Sequence, residues 1–392
     1  MTRSARWYVL LILCCPGFFG YLGLNKGQLL YLAVIFLYSV FVVLLDWKRL
    51  LACFSKNVVF FYLLFILLSL VYLASSIFNF GRNNYSGGDI IEILRPSIYF
   101  FSYAFSILIL QKIIAQNGTQ TILDYFEKTV FLISLVEFVK FLRPAFAFFK
   151  LYTVFPFGSI NYIRLSGTTG FAYSWAWICI ICLFLSVEKK RRIGFKFFWY
   201  SIVIFMTGSR TGMLALAVCY FLIFVYFRKT RLPLLFCVAF IVLSIFVLYM
   251  LNVQIVVTSV DYVIRLVNVM LFGEGRDGSF NTRNRQRIIA LEYFNSSPLL
   301  GVASNKAEHI VIENFYFHHL QNWGILGLSL YVVILLFFWI LADAKNRRII
   351  FALLSVSFII CFSTPLFDQI RVFNILYLIF ASTNGNKRKL GA

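Results

Sequence analysis

The sequence predicts an all-α polytopic membrane protein with about twelve transmembrane helices and one long structured outer loop, and three observations carry that prediction. Hydrophobic residues make up 61% of the chain and charged residues only 13%, about half the charged share of a soluble domain. That leaves too little polar material to clothe a water-facing surface. Apolar runs of roughly membrane-spanning length recur without period-two alternation, which selects helices over a barrel, because hydrocarbon offers no partner to an unpaired backbone group. Basic residues gather in alternate connections between the runs, as the positive-inside rule requires.

In chain order the runs are Trp7–Tyr21, Leu29–Leu45, Val58–Phe78, Ser97–Ile114, Thr121–Leu142, Phe171–Val187, Phe195–Met206, Met213–Phe227, Leu232–Leu251, Phe317–Leu341, Ile349–Phe362 and Leu366–Ala381. Residues 1–392 read as a single polytopic domain, with residues 252–315 as an outer loop between the ninth and tenth runs. Arg3 and Arg6 precede a first run that lacks a small-residue cleavage site, so that run is expected to stay as a span. An even number of crossings puts both termini on one side. With the N-terminus inside, the inner connections hold Arg3 and Arg6, Lys48, Arg49 and Lys56, Lys112, the Lys189–Lys196 cluster, Arg228–Arg231, Lys345–Arg348 and Lys387–Lys389. Topology and anionic lipid therefore account for much of the net charge of +21. No aromatic-basic module that would read a base is present, so no nucleic-acid partner is expected.

The arginines left on the outer side are harder to explain by orientation. They include Arg82, Arg95, Arg143, Arg164, Arg210, Arg265, Arg276, Arg283, Arg285, Arg287 and Arg371. Guanidinium grips phosphate through two parallel hydrogen bonds, so the ligand class they suggest is a phosphate or diphosphate at the outer boundary. Thr207–Gly212 combines two glycines and three hydroxyl residues with Arg210, a turn suited either to an anion nest at a helix start or to close helix packing. Arg164–Gly170 repeats those ingredients and reads equally as a capped loop.

The loop 252–315 is too long for a simple connector. Within it, Val256–Phe272 has the spacing of an interfacial amphipathic helix, broken by the glycine-rich run 273–278. A second helix starts near Asn281, with Arg283 and Arg287 on one face and Arg285 on another; it is either a diphosphate contact or a solvated basic helix. Glu313, Asn314, Tyr316, His318 and His319 stand where the chain re-enters the membrane. Glu313 is placed to accept a proton from a sugar hydroxyl or to form an interfacial salt bridge, and the histidines are alternative bases or members of an aromatic belt. Vicinal histidines diverge on a helix, so a metal pair is disfavoured. The eight cysteines read as small hydrophobes, since Cys14-Cys15 and Cys179/Cys182 lack further ligands nearby. Neither a metal nor a cofactor is expected.

The stretches Arg164–Gly170, Gly208–Gly212, Arg283–Arg287, Ser297–Val302 and Glu313–Leu328 together resemble the bacterial O-antigen ligase/polymerase superfamily, most nearly its Wzy-type O-antigen or capsule repeat-unit polymerases. The resemblance implies a GT-C-like, metal-independent inverting glycosyltransferase in the bacterial cytoplasmic membrane, with both termini cytoplasmic and the site facing outward. It implies transfer of an undecaprenyl-diphosphate-linked glycan to the non-reducing end of another lipid-linked repeat unit, with a chain-length regulator as a possible partner. Arg210 falls on the family arginine after Gly-Ser, and Arg283 or Arg285 on the second. With Arg164 and Arg287 they would hold the diphosphate. Ligases carry His-Asn about ten residues before the glycine that corresponds to Gly324, whereas this chain has Glu313-Asn314, which favours a polymerase over a ligase to a lipid A core. A lipid-linked oligosaccharide flippase is the third reading, disfavoured by clustering of the constellations on one side and by lack of a clear inverted repeat.

Overall fold

The computed structural model describes residues 1–10, 36–38, 40–41, 44, 56–80, 90–142, 152–157, 160–165, 172–251, 264, 278–303, 312–362, 364 and 366–388. The helices are α1 (Arg3–Tyr8), α2 (Lys56–Phe80), α3 (Ile90–Asn117), α4 (Thr119–Leu142), α5 (Ala172–Lys190), α6 (Phe195–Met206), α7 (Arg210–Tyr226), α8 (Arg231–Met250), α9 (Gly278–Ser296), α10 (Phe315–Ile340), α11 (Ala344–Ile360) and α12 (Ile370–Arg388). From the third onward, each apolar run of the sequence coincides with one of these helices. The first two runs lie mostly outside the described residues, as does the amphipathic stretch 256–272 apart from Ile264. The helix containing the fourth run starts at Ile90 rather than Ser97, with Pro96 inside it.

One expectation is corrected. The chain is not purely α: Tyr152–Phe157 (β1) and Ile160–Leu165 (β2) pair antiparallel, with Thr153 opposite Arg164 and Phe157 opposite Ile160. β-Branched and aromatic residues dominate β1 and make up half of β2, and Gly158-Ser159 between them is a hairpin signature. The second strand lies against α4, α5 and α6, with Leu165 buried.

Three described helices, α2, α5 and α10, are long and apolar enough to cross a membrane, and a fourth span arises if α7 and α8, bent by 117°, count as one. The rest of the twelve-span expectation and the GT-C architecture go beyond what these helices establish. Exposed apolar side chains are abundant, among them Leu232, Phe236, Phe240 and Phe246 on α8. Water would penalise such a surface and lipid would not, so the architecture is that of a membrane protein.

Burial concentrates on two helices. Every residue of α12 from Arg371 to Ala381 is buried, as is most of α5. Around them the helices are joined by polar staples: Trp177 Nε1 donates to Ser357 Oγ at 2.7 Å, Trp199 Nε1 to Ser134 Oγ at 2.7 Å, and Tyr377 OH to Gln111 Oε1 at 2.9 Å. For Trp177 and Trp199 a small hydroxyl partner lets the helices approach closely while satisfying the indole proton.

The connections sort to two ends. At one end, Thr2 N–H donates to Asn117 Oδ1 at 2.7 Å, Lys189 pairs with Asp124 at 2.7 Å and Lys196 with Glu127 at 2.9 Å. The α7–α8 bend and the start of α11 meet the end of α5 there as well. At the other end, Gly212 abuts Ala176, Gln369 Nε2 donates to Ser174 Oγ at 3.0 Å, and Phe315 N–H donates to the Cys361 carbonyl at 2.9 Å. Among the described residues, the connections at 117–119, 188–196, 226–231 and 342–348, which the charge pattern places inside, thus share the first end, and those around 207–212, 312–315 and 361–369 share the second.

A break in α10 shapes the second end. Gly324 has φ +61° and ψ −163°, so the helix is interrupted there. The Pro298–Ala303 segment fills the gap: Ile325 N–H donates to the Pro298 carbonyl at 2.9 Å, Val302 N–H to Gln321 at 2.8 Å, and Ala303 N–H to Asn322 at 3.0 Å. From α2, Ser75 Oγ donates to the Leu300 carbonyl at 2.5 Å and Asn79 Nδ2 to that of Gly301 at 3.0 Å. The N–H groups of Ile325 and Leu326 and the carbonyls of Gln321 and Asn322 are thus satisfied across the break, the condition for irregular chain among apolar helices.

Candidate active site

Where α9 meets the start of α10, one cation and one carboxylate face each other. Arg283 Nη2 stands 3.5 Å from Glu313 Oε2, with both side chains over a third exposed. The Glu313 N–H donates to Gln286 Oε1 at 3.4 Å. α9 has a polar sequence and turns Arg283, Gln286 and Ala290 inward, at the i, i+3, i+7 spacing of one helix face. Arg285 and Arg287 are exposed. Arg287, which the sequence pairs with Arg283 on one face, therefore points to solvent while Gln286 takes the inner position. At this degree of exposure the ion pair adds little stability, so its placement matters more than its strength.

The other members of the re-entry motif serve the frame. Asn314 is the N-cap of α10: its Oδ1 accepts from Tyr316 N–H at 2.9 Å and Phe317 N–H at 3.3 Å. Tyr316 OH donates to the Phe358 carbonyl at 3.1 Å, tying α10 to α11. His319 is fully buried, with Nδ1 at 3.0 Å from Tyr72 OH and its ring among Phe315, Tyr72 and Tyr331. His318 is half-buried with its ring nitrogens 3.3 Å from Asn322 Nδ2. The structure thus brings Arg283 and Glu313 together and gives Asn314, Tyr316 and His319 packing or capping partners instead.

Arg210 opens α7, after Ser209, whose Oγ accepts from Gly212 N–H at 3.1 Å, and Gly208 at φ +57°. A Cβ on Gly212 would collide with that of Ala176 at 2.8 Å, so glycine lets the turn seat against α5. Arg164 lies on β2 opposite Thr153, and 166–170 lie outside the described residues.

Sequence reasoning overlooked one wall of this site. Tyr173, three residues before Ala176 on α5, hydrogen-bonds Thr364 and lies within electrostatic range of both Glu313 and Arg371. Arg371 is buried at the start of α12 and donates to Gln369, which is itself joined to Ser174. Arg371 belongs to the outer arginines read from the sequence but to none of its motifs; what marks it is an arginine at the head of an otherwise apolar run, a costly placement without a role. Among the described residues, no three of His, Cys, Asp and Glu form a metal-ligand group.

Residues 195–332 match the family model for O-antigen ligase. Over that span the chain is similar to the O-antigen ligase family. The matched region runs from α6 past the break in α10, so it includes Arg210, the whole of α9 and Glu313–His319, whereas Arg164, Tyr173 and Arg371 lie outside it. It supports a lipid-linked glycan ligase or polymerase type of function without separating the two. No curated protein matches the chain.

Proposed function

We propose that the protein is a polysaccharide polymerase that transfers an undecaprenyl-diphosphate-linked glycan to the non-reducing end of another lipid-linked repeat unit. The observation that carries this reading is the Arg283–Glu313 contact, a guanidinium and a carboxylate held at the head of a membrane helix by α9. An incoming diphosphate competes for Arg283 and releases the Glu313 carboxylate toward the acceptor. The acceptor hydroxyl oxygen attacks the anomeric carbon of the donor, the bond from that carbon to the diphosphate oxygen breaks, and undecaprenyl diphosphate leaves with the bonding pair. The hydroxyl proton passes to Glu313. Arg283 and Arg210 stabilise the charge that grows on the leaving diphosphate, the term most useful to the transition state. Inversion follows from a single displacement. The donor supplies its own activated leaving group, so the scheme requires neither ATP nor a divalent ion, and the site faces the outer side of the inner membrane.

Transfer of finished polymer to another acceptor, as in a ligase, is the second reading, favoured by the description of the matched family. Glu313-Asn314 in the place of the ligase His-Asn pair favours the polymerase. Purified protein in liposomes with lipid-linked repeat units tests both. A ladder of lengthening products that survives chelation and disappears in Arg210→Ala is the expected result. Product joined once to an added lipid A core acceptor, without lengthening, selects the ligase, and transfer retained in Arg210→Ala removes the anion clamp.

A further inference from the structure

At the end of the molecule opposite Glu313, a shallow open cleft separates the last turns of α5 and α7 from the first turns of α11. Phe184, Phe227 and Ile349 line it together with Arg191 and Arg348. Arg191 ends α5 with its N–H bonded to the Val187 carbonyl at 2.7 Å and with φ +52°. Glycine usually fills that left-handed position, and a long side chain there is disfavoured. The side chain is nevertheless used: its guanidinium lies 5.0 Å from the Phe227 ring centroid and 2.8 Å from Glu188 Oε1. Arg348 comes from a different helix and acts electrostatically on Tyr226, which also faces the cleft.

Two guanidinium groups against the single Glu188 carboxylate leave the cleft cationic. The lining itself adds apolar surface to the charge through Phe184, Phe227 and Ile349, and exposed Val225 and Phe351 lie on the same helix turns as the lining residues Tyr226 and Ile349. A soluble anion has no use for that surface, whereas a molecule with a phosphate head and acyl chains uses both. We propose that this cleft binds the phosphodiester of an anionic phospholipid headgroup, with Arg191 and Arg348 gripping its non-bridging oxygens and the acyl chains lying along the exposed apolar flank. The site is independent of the transfer chemistry at Glu313.

Native mass spectrometry of the full purified chain tests it, with phosphatidylglycerol, phosphatidylcholine of the same acyl chains, and inorganic phosphate as probes. Arg348→Gln and Arg191→Gln are each expected to lower phosphatidylglycerol retention by about fivefold, and Arg6→Gln, an exposed charge at the same end, by less than about twofold. Phosphatidylcholine retention is expected to be unchanged in all three. Because Arg191 also closes α5, Arg348→Gln decides the matter if the other variant fails to fold. Unchanged retention in Arg348→Gln, or an equal loss in Arg6→Gln, overturns the site. Displacement of phosphatidylglycerol by inorganic phosphate that itself binds assigns the cleft to free phosphate and overturns the lipid as its occupant.

Discussion

Glu313 and Asn314 are neighbours in sequence with opposite fates. Both are polar residues at the membrane re-entry, and the sequence nominates both for the site. The structure turns the Glu313 carboxylate toward Arg283 and spends the Asn314 amide on capping α10. Asn314→Ala is expected to lower stability by about 1 kcal/mol, with Asn314→Asp retaining most of it. Thermal unfolding in detergent measures this, and a loss of turnover without loss of stability would contradict the capping role. His319 shows the same limit of sequence reasoning, since residue type identifies a base but burial decides whether substrate can reach it. His319→Phe keeps the ring among Phe315, Tyr72 and Tyr331 and gives up the Tyr72 hydrogen bond. Glycan transfer by that variant is expected to stay within about threefold of the parent, with a stability loss of about 1 kcal/mol. Tyr173 was hidden for the converse reason, and Arg371, though counted among the outer arginines, belonged to no motif; their meaning comes from the link of the start of α5 to Thr364, Gln369 and Arg371.

Among elements, the apolar runs translate directly into helices from α2 onward because length and hydrophobicity suffice to specify them. The β1–β2 hairpin did not emerge from that reading, although Gly158-Ser159 between β-rich strands is a local signal for it. The break in α10 needed three dimensions. Pro298–Gly301 and Gly324–Gly327 read separately as marks of a family, yet Gly301 and Gly324 are two halves of one contact: a Cβ on Gly324 would fall on the Leu299 carbonyl, and one on Gly301 on the backbone of Asn322. Positive φ at both adds to the penalty. Gly324→Ala and Gly301→Ala are each expected to cost about 1–3 kcal/mol, and to lower transfer as α9 loses its fixed position against α10. Melting temperature and transfer, measured together, check this; Gly118→Ala, with positive φ but open space around it, serves as the comparison.

For the whole molecule, charge alternation matches the arrangement of the described connections, in which the basic ones share one end and the Arg283–Glu313 contact lies at the other. Charge was legible because it acts through the sum of each connection, whereas the site depends on which individual arginine turns inward. Cysteines introduced at exposed Lys190 and Arg285 test sidedness: an impermeant maleimide is expected to label Arg285→Cys in intact cells and Lys190→Cys only after the membrane is opened. The most direct test of the transfer mechanism is single-turnover glycosidic bond formation by Glu313→Gln in proteoliposomes, with retention of the lipid-diphosphate donor measured on the same preparation. Turnover about 100-fold lower with donor retention within about twofold is the expected result. Unchanged turnover would remove Glu313 from the chemistry and reduce its contact with Arg283 to an interfacial salt bridge.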